Sequence, residues 1–371
     1  MKKKKIFFIT TCRADYGFID ELLNTASKKL NKFKLYLIIS GNHFSKLYGS
    51  TYKLIKKYKN ITYLKIPLSN TNDQLDSTIK NINFACLKYS NLFKKNKPDL
   101  IITFGDRFEM YAFALTAYTF NISQAHIAGG EITKGSLDDG FRHSISKFSN
   151  FHFPVSNIYK KRLIKFEINR KNIFNYGNLG FEKIKKTKFL TKKYLSKKLC
   201  INFLKYNFIV VFHPETLEIK KTFKNFLNLL KAINTFRNVN FIFTSPGSDY
   251  LSSKFISKII KLKKKNNNIY HYTNLGNKFF LSLLKHSNGI IGNSSSGMSE
   301  APFLKIPTLN IGNRQTGRIH LKSIRNSSTK KKDIVKNIKK LMKYKKSKYY
   351  NPFGKGDTST KIVNKIKKLD F

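Results

Sequence analysis

The sequence predicts an α/β protein built as two similar halves, each a parallel sheet wound by helices, with a cleft between them. Three observations predict this class. Short apolar runs alternate with longer stretches of helical apolar spacing, the pattern of repeated strand–helix units. The runs lack the polar–apolar alternation of a half-exposed strand, so both of their faces are expected to be buried. The pattern pauses at NIFNYGNLG (172–180), which carries Gly177 and Gly180, and then starts again. A chain of 371 residues is long enough for two cores of ordinary domain size. The first domain is therefore placed at 1–177 and the second at 178–356.

KKIFFITT predicts a buried first strand ending near Thr11. The loop CRADYG follows, and Phe18–Leu30 has helical spacing. KLYLIIS (34–40) is a second strand, ended by Gly41 and Asn42. A helix is expected over Leu47–Tyr58 and a strand over ITYLKI (61–66). A long amphipathic helix follows over Asp73–Phe93, with Leu75, Ile79, Ile82 and Ala85 on one face. DLIITF, QAHIA and FHFPV complete the first alternation. In the second half FIVVFHP (208–214), VNFIFTSPG (239–247), NGIIG (288–292) and PTLNIG (307–312) read as strands, with helices between them. The Lys-rich tail from Lys330 has helical spacing at Ile334, Ile338 and Leu341, and again at Ile362, Val363 and Ile366.

Composition excludes several classes. No run of about 18 uncharged apolar residues exists, so no membrane span is expected. Lys2–Lys5 resembles the start of a signal peptide, but the apolar stretch Ile6–Cys12 is short and ends at Arg13. Cys12, Cys86 and Cys200 are unclustered and lack metal-ligand spacing, which suits a reducing, cytoplasmic setting without a metal site. The formal charge of +52 raises the question of nucleic acid. Of 72 basic residues only nine are Arg, and the Lys residues spread along most of the helices rather than forming one stripe. That is the signature of compositional drift, so no nucleic-acid partner is expected. Arg is the more informative cation. Five of the nine, Arg13, Arg107, Arg142, Arg314 and Arg318, fall in the motif stretches below. A planar fork suits carboxylate or phosphate.

The stretch Gly105–Arg142 holds Asp106, Glu109, Glu131, Asp138 and Asp139, five of the 20 acids in the chain, together with His126, Arg107 and Arg142. Asp106 and Glu131 lie just past the ends of two expected strands. Ligands of open parallel sheets bind outside the carboxyl ends of the strands. Carboxylates converging there with a His and two Arg are what proton transfer needs. In the second half, IIGNSSSGMSEAP (290–302) reads as a strand, a small polar turn and a helix. Ser294, Ser295 and Ser296 at a helix start make an anion site, and Gly297 permits a close approach. One serine alone would suffice as a cap. Glu300 is placed to accept from ribose hydroxyls. His213 in HPET is a candidate for phosphate binding or acid–base work, and Phe280 for a wall beside a base. RQTGR (314–318) suits an acidic ligand. No G-x-S-x-G elbow and no G-x-G-x-x-G fingerprint appears, so neither a serine hydrolase nor a nicotinamide cofactor is expected.

TTCRADYGF, GDRFEMYAFALTA, AHIAGGEITKGSLDDGFRHSISKFSNFHF and IIGNSSSGMSEAPFLKIPTLNIGNRQTGR strongly resemble the hydrolysing UDP-N-acetylglucosamine 2-epimerases, bacterial enzymes that feed sialic-acid and legionaminic-acid synthesis. The match runs in order from about Thr10 to Arg318. The resemblance implies a GT-B-like fold of two Rossmann-like domains, with the nucleotide on the second, the chemistry in the cleft, and a last helix (about 357–371) crossing back onto the first domain. It implies loss of the C2 proton, anti elimination of UDP from C1, and hydration of a 2-acetamidoglucal to N-acetylmannosamine, without a cofactor or metal. Its essential carboxylates correspond to Asp106, Glu131 and Asp139, with Asp138 beside the last. His213 and Arg13 would hold the pyrophosphate with Ser294–Ser296, Phe280 would pack on uracil, and Glu300 would hold the ribose. The RQTGR loop looks like the hydrolysing branch. Ala128 stands where relatives often have a second histidine. Relatives also act on UDP-N,N′-diacetylbacillosamine or a GDP-linked sugar, and a homodimer or homotetramer is implied. The remaining alternatives are a GT-B glycosyltransferase and a basic nucleic-acid-binding protein.

Overall fold

A computed structural model describes residues 3–46, 49–68, 77–215, 217–246, 251–344 and 352–371. The chain forms two compact units, one of residues 1–131, 138–186 and 352–371, the other of 132–137 and 187–351.

The first unit carries strands β1 (Lys5–Thr10), β2 (Lys34–Ser40), β3 (Ile61–Ile66), β4 (Leu100–Phe104), β5 (Ser123–Ile127) and β6 (Phe151–Phe153). Its helices are α1 (Arg13–Lys29), α2 (Ser77–Asn96), α3 (Phe108–Thr119), α4 (Asp138–Phe148), α5 (Asn157–Lys165) and α6 (Leu179–Lys186). All strand pairs are parallel, in the order β3-β2-β1-β4-β5-β6. That is the Rossmann order, which reverses direction between β1 and β4. KIFFIT shows why the strands read as unbroken apolar runs. Ile6 and Phe8 enter one core with α1, while Phe7 and Ile9 enter the other with α2 and α3.

The second unit carries α7 (Lys192–Leu199), β7 (Tyr206–Val211), α8 (Ile219–Ile233), β8 (Val239–Thr244), α9 (Ser252–Lys265), β9 (Ile269–Tyr272) and α10 (Gly276–His286). It continues with β10 (Gly289–Gly292), α11 (Glu300–Phe303), β11 (Thr308–Ile311), β12 (Ile324–Ser327) and α12 (Lys331–Met342). Its parallel sheet runs β12-β11-β10-β7-β8-β9, the same topology again. Val210 and Phe208 pack towards α8, α9 and α12, and Ile209 and Val211 towards α10. The last helix, α13 (Thr358–Ile366), belongs to the first unit. It buries Ile362, Val363 and Ile366 against the α1 side of that sheet.

Several elements differ from the sequence-based expectation. The loop CRADYG is the start of α1: Asp15 occupies the third helical position and accepts from the Thr11 and Cys12 amides at 2.9 and 3.0 Å. That satisfies donors a helix start leaves open, so the helix begins at Arg13. In place of a helix over 47–58, the described residues show a single turn at Thr51–Leu54, and Leu47 and Tyr48 lie outside them. The predicted helix start at 73–76, with Leu75, also lies outside the described residues, as does Gly247. Ile79 is 56% exposed, because the buried face of α2 begins with Ile82 and runs through Ala85, Tyr89, Leu92 and Phe93. The short edge strands β9 and β12 carry too little apolar pattern to be read. The glycines expected to mark a domain boundary lie inside the first unit. A side chain on Gly177 would stand 2.6 Å from the Phe353 carbonyl of the returning chain, and one on Gly180 would strike the Phe18 ring at 2.6 Å. These glycines permit close packing, and the unit runs on to Lys186.

Candidate active site

In the first unit, β4 ends at Phe104 and the chain turns at Gly105, whose φ is +78°. The neighbouring strand grips this turn twice. The Gly105 amide donates to the Ile127 carbonyl at 3.0 Å, and the His126 ring meets the Gly105 carbonyl through Nε2 at 2.8 Å. The other ring nitrogen, Nδ1, lies 3.0 Å from the Ser146 hydroxyl of α4. Burial lowers the His126 pKa to about 4, so the ring is neutral at neutral pH. A neutral ring that donates from Nε2 to a carbonyl must accept at Nδ1 from the serine. His126 was expected among the substrate ligands. It is fully buried and braces the turn that carries Asp106.

Past β5, Ala128 and Gly130 both take left-handed φ, +68° and +81°, and the bend delivers Glu131. Helix α4 then supplies Asp138 and Asp139 in its first turn and Arg142 one turn later. Arg142 is the hub of this edge. It is 1% exposed and pairs with Asp106 through Nη2, with Asp139 through Nη1 at 3.1 Å, and with the Glu131 carbonyl at 3.2 Å. Burial opposes its charge, but Asp106 and Glu131 beside it outweigh that and hold its pKa above the ordinary value. Expected as a substrate ligand, Arg142 is a buried strut that binds three carboxylate-bearing segments together. His143, missed by the sequence reading, reaches the far oxygen of Asp139 at 3.5 Å. Its only signal was the i, i+4 spacing from Asp139. Arg107 forks onto the buried Glu109, with both contacts at 3.0 Å. Arg13 opens α1 half-buried, and burial holds its guanidinium below the ordinary value. Beside it, burial pushes the Cys12 thiol up to about 12.

In the second unit, the ends of β7, β10 and β11 meet. Gly292 at the end of β10 has φ +136°, and a Cβ there would lie 1.9 Å from the Val211 carbonyl, so only glycine fits. The next residue, Asn293, is fully buried. Its side-chain oxygen accepts from the His213 amide at 2.7 Å and its side-chain nitrogen donates to the His213 carbonyl at 2.9 Å. The Asn293 carbonyl in turn accepts from Gln315 at 2.7 Å and Arg314 at 3.3 Å. Glu215, buried two residues past His213, accepts from the Asn313 amide at 3.2 Å, and burial raises its pKa. The sequence reading passed over both Asn293 and Glu215. Their signal was only their place next to a strand end.

The serine turn is a short 3-10 segment, Ser295–Gly297, and the α-helix after it, α11, has four residues. The Ser294 hydroxyl caps the turn by accepting from the Ser296 amide at 3.3 Å. Gly297 has a packing reason of its own, since a Cβ would meet the Thr308 methyl at 2.7 Å. Ser295 is exposed, and Glu300 opens α11 nearly buried. Phe280 is half-buried on α10 against the core that holds Ile209 and Val211. The RQTGR loop lies against the segment 132–137. Lys134 donates to the Thr316 carbonyl at 3.1 Å, and Gly317 (φ +97°) leaves room for Ile132. That segment joins Glu131 to Asp138 in sequence, yet it packs with the second unit. Among the described residues no group of three or more His, Cys, Asp or Glu is placed to hold a metal, and no helix is long and apolar enough to cross a membrane.

The comparisons with known proteins agree with one another. A family model described as UDP-N-acetylglucosamine 2-epimerase matches residues 25–367. A GDP/UDP-N,N′-diacetylbacillosamine 2-epimerase (hydrolyzing) of Campylobacter jejuni is 38% identical over 87% of this chain and 84% of its own. The polysialic acid biosynthesis protein P7 of Escherichia coli is 35% identical over 90% of this chain and 85% of its own. The crystal structure of the UDP-GlcNAc 2-epimerase from Neisseria meningitidis bound to UDP-GlcNAc shares the fold with a TM-score of 0.81, at 18% identity, over 98% of this chain and 100% of that one. The fold is thus the GT-B-like one of two Rossmann-like units. By family match and by relatives alike, the chain belongs to the UDP-N-acetylglucosamine 2-epimerase family.

Proposed function

We propose that this protein is a hydrolysing 2-epimerase that converts UDP-N-acetylglucosamine and water to N-acetylmannosamine and UDP. The observation that carries the reading is the hub at Arg142, which draws Asp106, Asp139 and the Glu131 backbone together beyond the carboxyl ends of β4 and β5 in a chain of this family. Inversion at C2 needs a base for the C2 proton and an acid to return one, and carboxylates held in fixed geometry supply both. The charge that develops on the departing diphosphate needs donors already in place. His213, Arg13 and the serines at 294–296 are the groups assigned to it, with Phe280 against the uracil and Glu300 on the ribose. Arg314 and Arg318 belong to the same loop system as His213.

The electron pair of the C2–H bond forms the C1–C2 double bond as the C1–O bond breaks, and UDP leaves intact. Water then adds at C1 and a solvent-derived proton at C2. A reaction in heavy water is therefore expected to give product with deuterium at C2. Oxygen-18 water is expected to label the new C1 hydroxyl. A glycosyltransferase without an acceptor gives neither label, and a plain hydrolase labels C1 alone with C2 unchanged. Protium kept at C2 in an inverted product would rule out reprotonation from solvent and force a shielded single-base or hydride route.

A second reading concerns the sugar. The relative that is 38% identical is named for GDP/UDP-N,N′-diacetylbacillosamine. That favours a test in which UDP-N,N′-diacetylbacillosamine, GDP-N-acetylglucosamine and UDP-N-acetylglucosamine compete without an acceptor. The ratio of their kcat/KM values decides the substrate.

A further inference from the structure

We propose that Asn293 is a positioning residue for the diphosphate site, acting through His213. The inference rests on the reading above, in which His213 holds the departing diphosphate. Both polar atoms of the Asn293 amide are spent on the backbone of that one residue, accepting from its N–H at 2.7 Å and donating to its C=O at 2.9 Å. His213 lies past the end of β7, outside the ladder, so β-pairing does not hold it. Asn293 holds its backbone from the end of β10. Its own amide donates to the Val211 carbonyl at 3.1 Å, which ties it back to the last residue of β7. Its carbonyl takes Gln315 at 2.7 Å and Arg314 at 3.3 Å, so the same residue also anchors the loop after β11.

Chemistry narrows the choice of residue here. Aspartate could accept from the His213 amide but could not donate to its carbonyl, and it would bring a negative charge towards a diphosphate. Glutamine has the right groups on a longer stem, in a site with no exposed surface. Alanine removes both of these hydrogen bonds from the part-buried His213 peptide, which frees it to turn. The imidazole would then lose its fixed aim, and a site that aims donors at developing charge loses most from a small misplacement.

The test is a double-mutant cycle on the full-length chain, with UDP binding measured by titration calorimetry. Asn293→Ala is expected to weaken UDP about tenfold, the usual size for one lost buried pairing. His213→Ala alone sets the value of the imidazole. If Asn293 acts through His213, the double variant binds UDP no more weakly than His213→Ala. Losses that multiply would show that Asn293 acts on UDP independently of His213, and would overturn the proposal. Where Asn293→Ala does not fold, Asn293→Ser, small and uncharged, is carried through the same cycle. Wild-type protein that fails to bind UDP overturns the functional reading and this inference together. UDP bound normally by wild type and by Asn293→Ala alike overturns this inference alone.

Discussion

At the scale of single residues, the site depends on which charges are buried with their partners. Arg142 is 1% exposed and meets two carboxylates. Removing Arg142 takes this partner from Asp106 and Asp139, which are partly exposed, so the cost falls below the roughly 3–5 kcal/mol of a fully buried pair. Arg142→Met is therefore expected to lower the thermal midpoint, and Arg142→Lys to fold but lose turnover, since a single ammonium cannot fork onto both Asp106 and Asp139. Asp106→Asn, Glu131→Gln and Asp139→Asn are each expected to cut turnover by about 10² or more while UDP still binds. Near-full activity in all three would remove the acid–base assignment. His126 sets a pH dependence. Its folded pKa, about 4, lies below the ordinary 6.5, so between these values the unfolded chain binds more protons. Stability is then full above about 6.5 and falls as pH drops towards 4, by a few kcal/mol. Unfolding midpoints in denaturant across that window measure the slope, and His126→Gln is expected to flatten it. The sequence makes the acids legible because there are few of them and they follow apolar runs. It does not make legible that Arg142 and His126 point inward, since a charge near a strand end reads the same whether it faces a ligand or a neighbour.

At the scale of elements, the strands of the first unit and the inner strands of the second are legible, and the edge strands of the second are not. β1, β2, β3 and β4 bury apolar residues on one or both faces, and their runs stand out. β9 and β12 have four residues each, and β12 exposes the adjacent Arg325 and Asn326 between buried ends. Nothing in such a short polar run distinguishes it from a loop. The glycines near 177 lie inside the first compact unit. A glycine that relieves crowding against a distant segment looks the same in sequence as one in a linker. The distant segment is the one that leads into α13. Burying Ile362, Val363 and Ile366 is worth roughly 1.5–3 kcal/mol each, an upper range because unfolded chains already bury some surface. Their sum is comparable to the whole stability of an ordinary domain, about 5–15 kcal/mol. Deleting residues 352–371 is expected to unfold the first unit while the second keeps its own transition in calorimetry. An unchanged first transition would show that α13 is ornamental to that core.

At the scale of the whole molecule, a formal charge of +52 is the most conspicuous property and the least informative. Lysines are carried on the outer faces of helices such as α9 and α12, while the buried cation Arg142 lies at the candidate site. Duplex binding near physiological salt is expected to be weak and indifferent to sequence. A specific affinity of about 10⁻⁸ M or tighter, read from a binding isotherm, would contradict this. The interleaving of the two units has a consequence for how the chain is made. The first unit draws on residues 1–131, 138–186 and 352–371, so its last piece leaves the ribosome after the entire second unit. At about 5–20 residues per second, roughly ten to forty seconds separate the emergence of α6 from that of α13. Through that interval the part of α1 that meets α13 has no permanent cover, and the nascent protein offers chaperones a bare groove that the finished protein closes with its own tail.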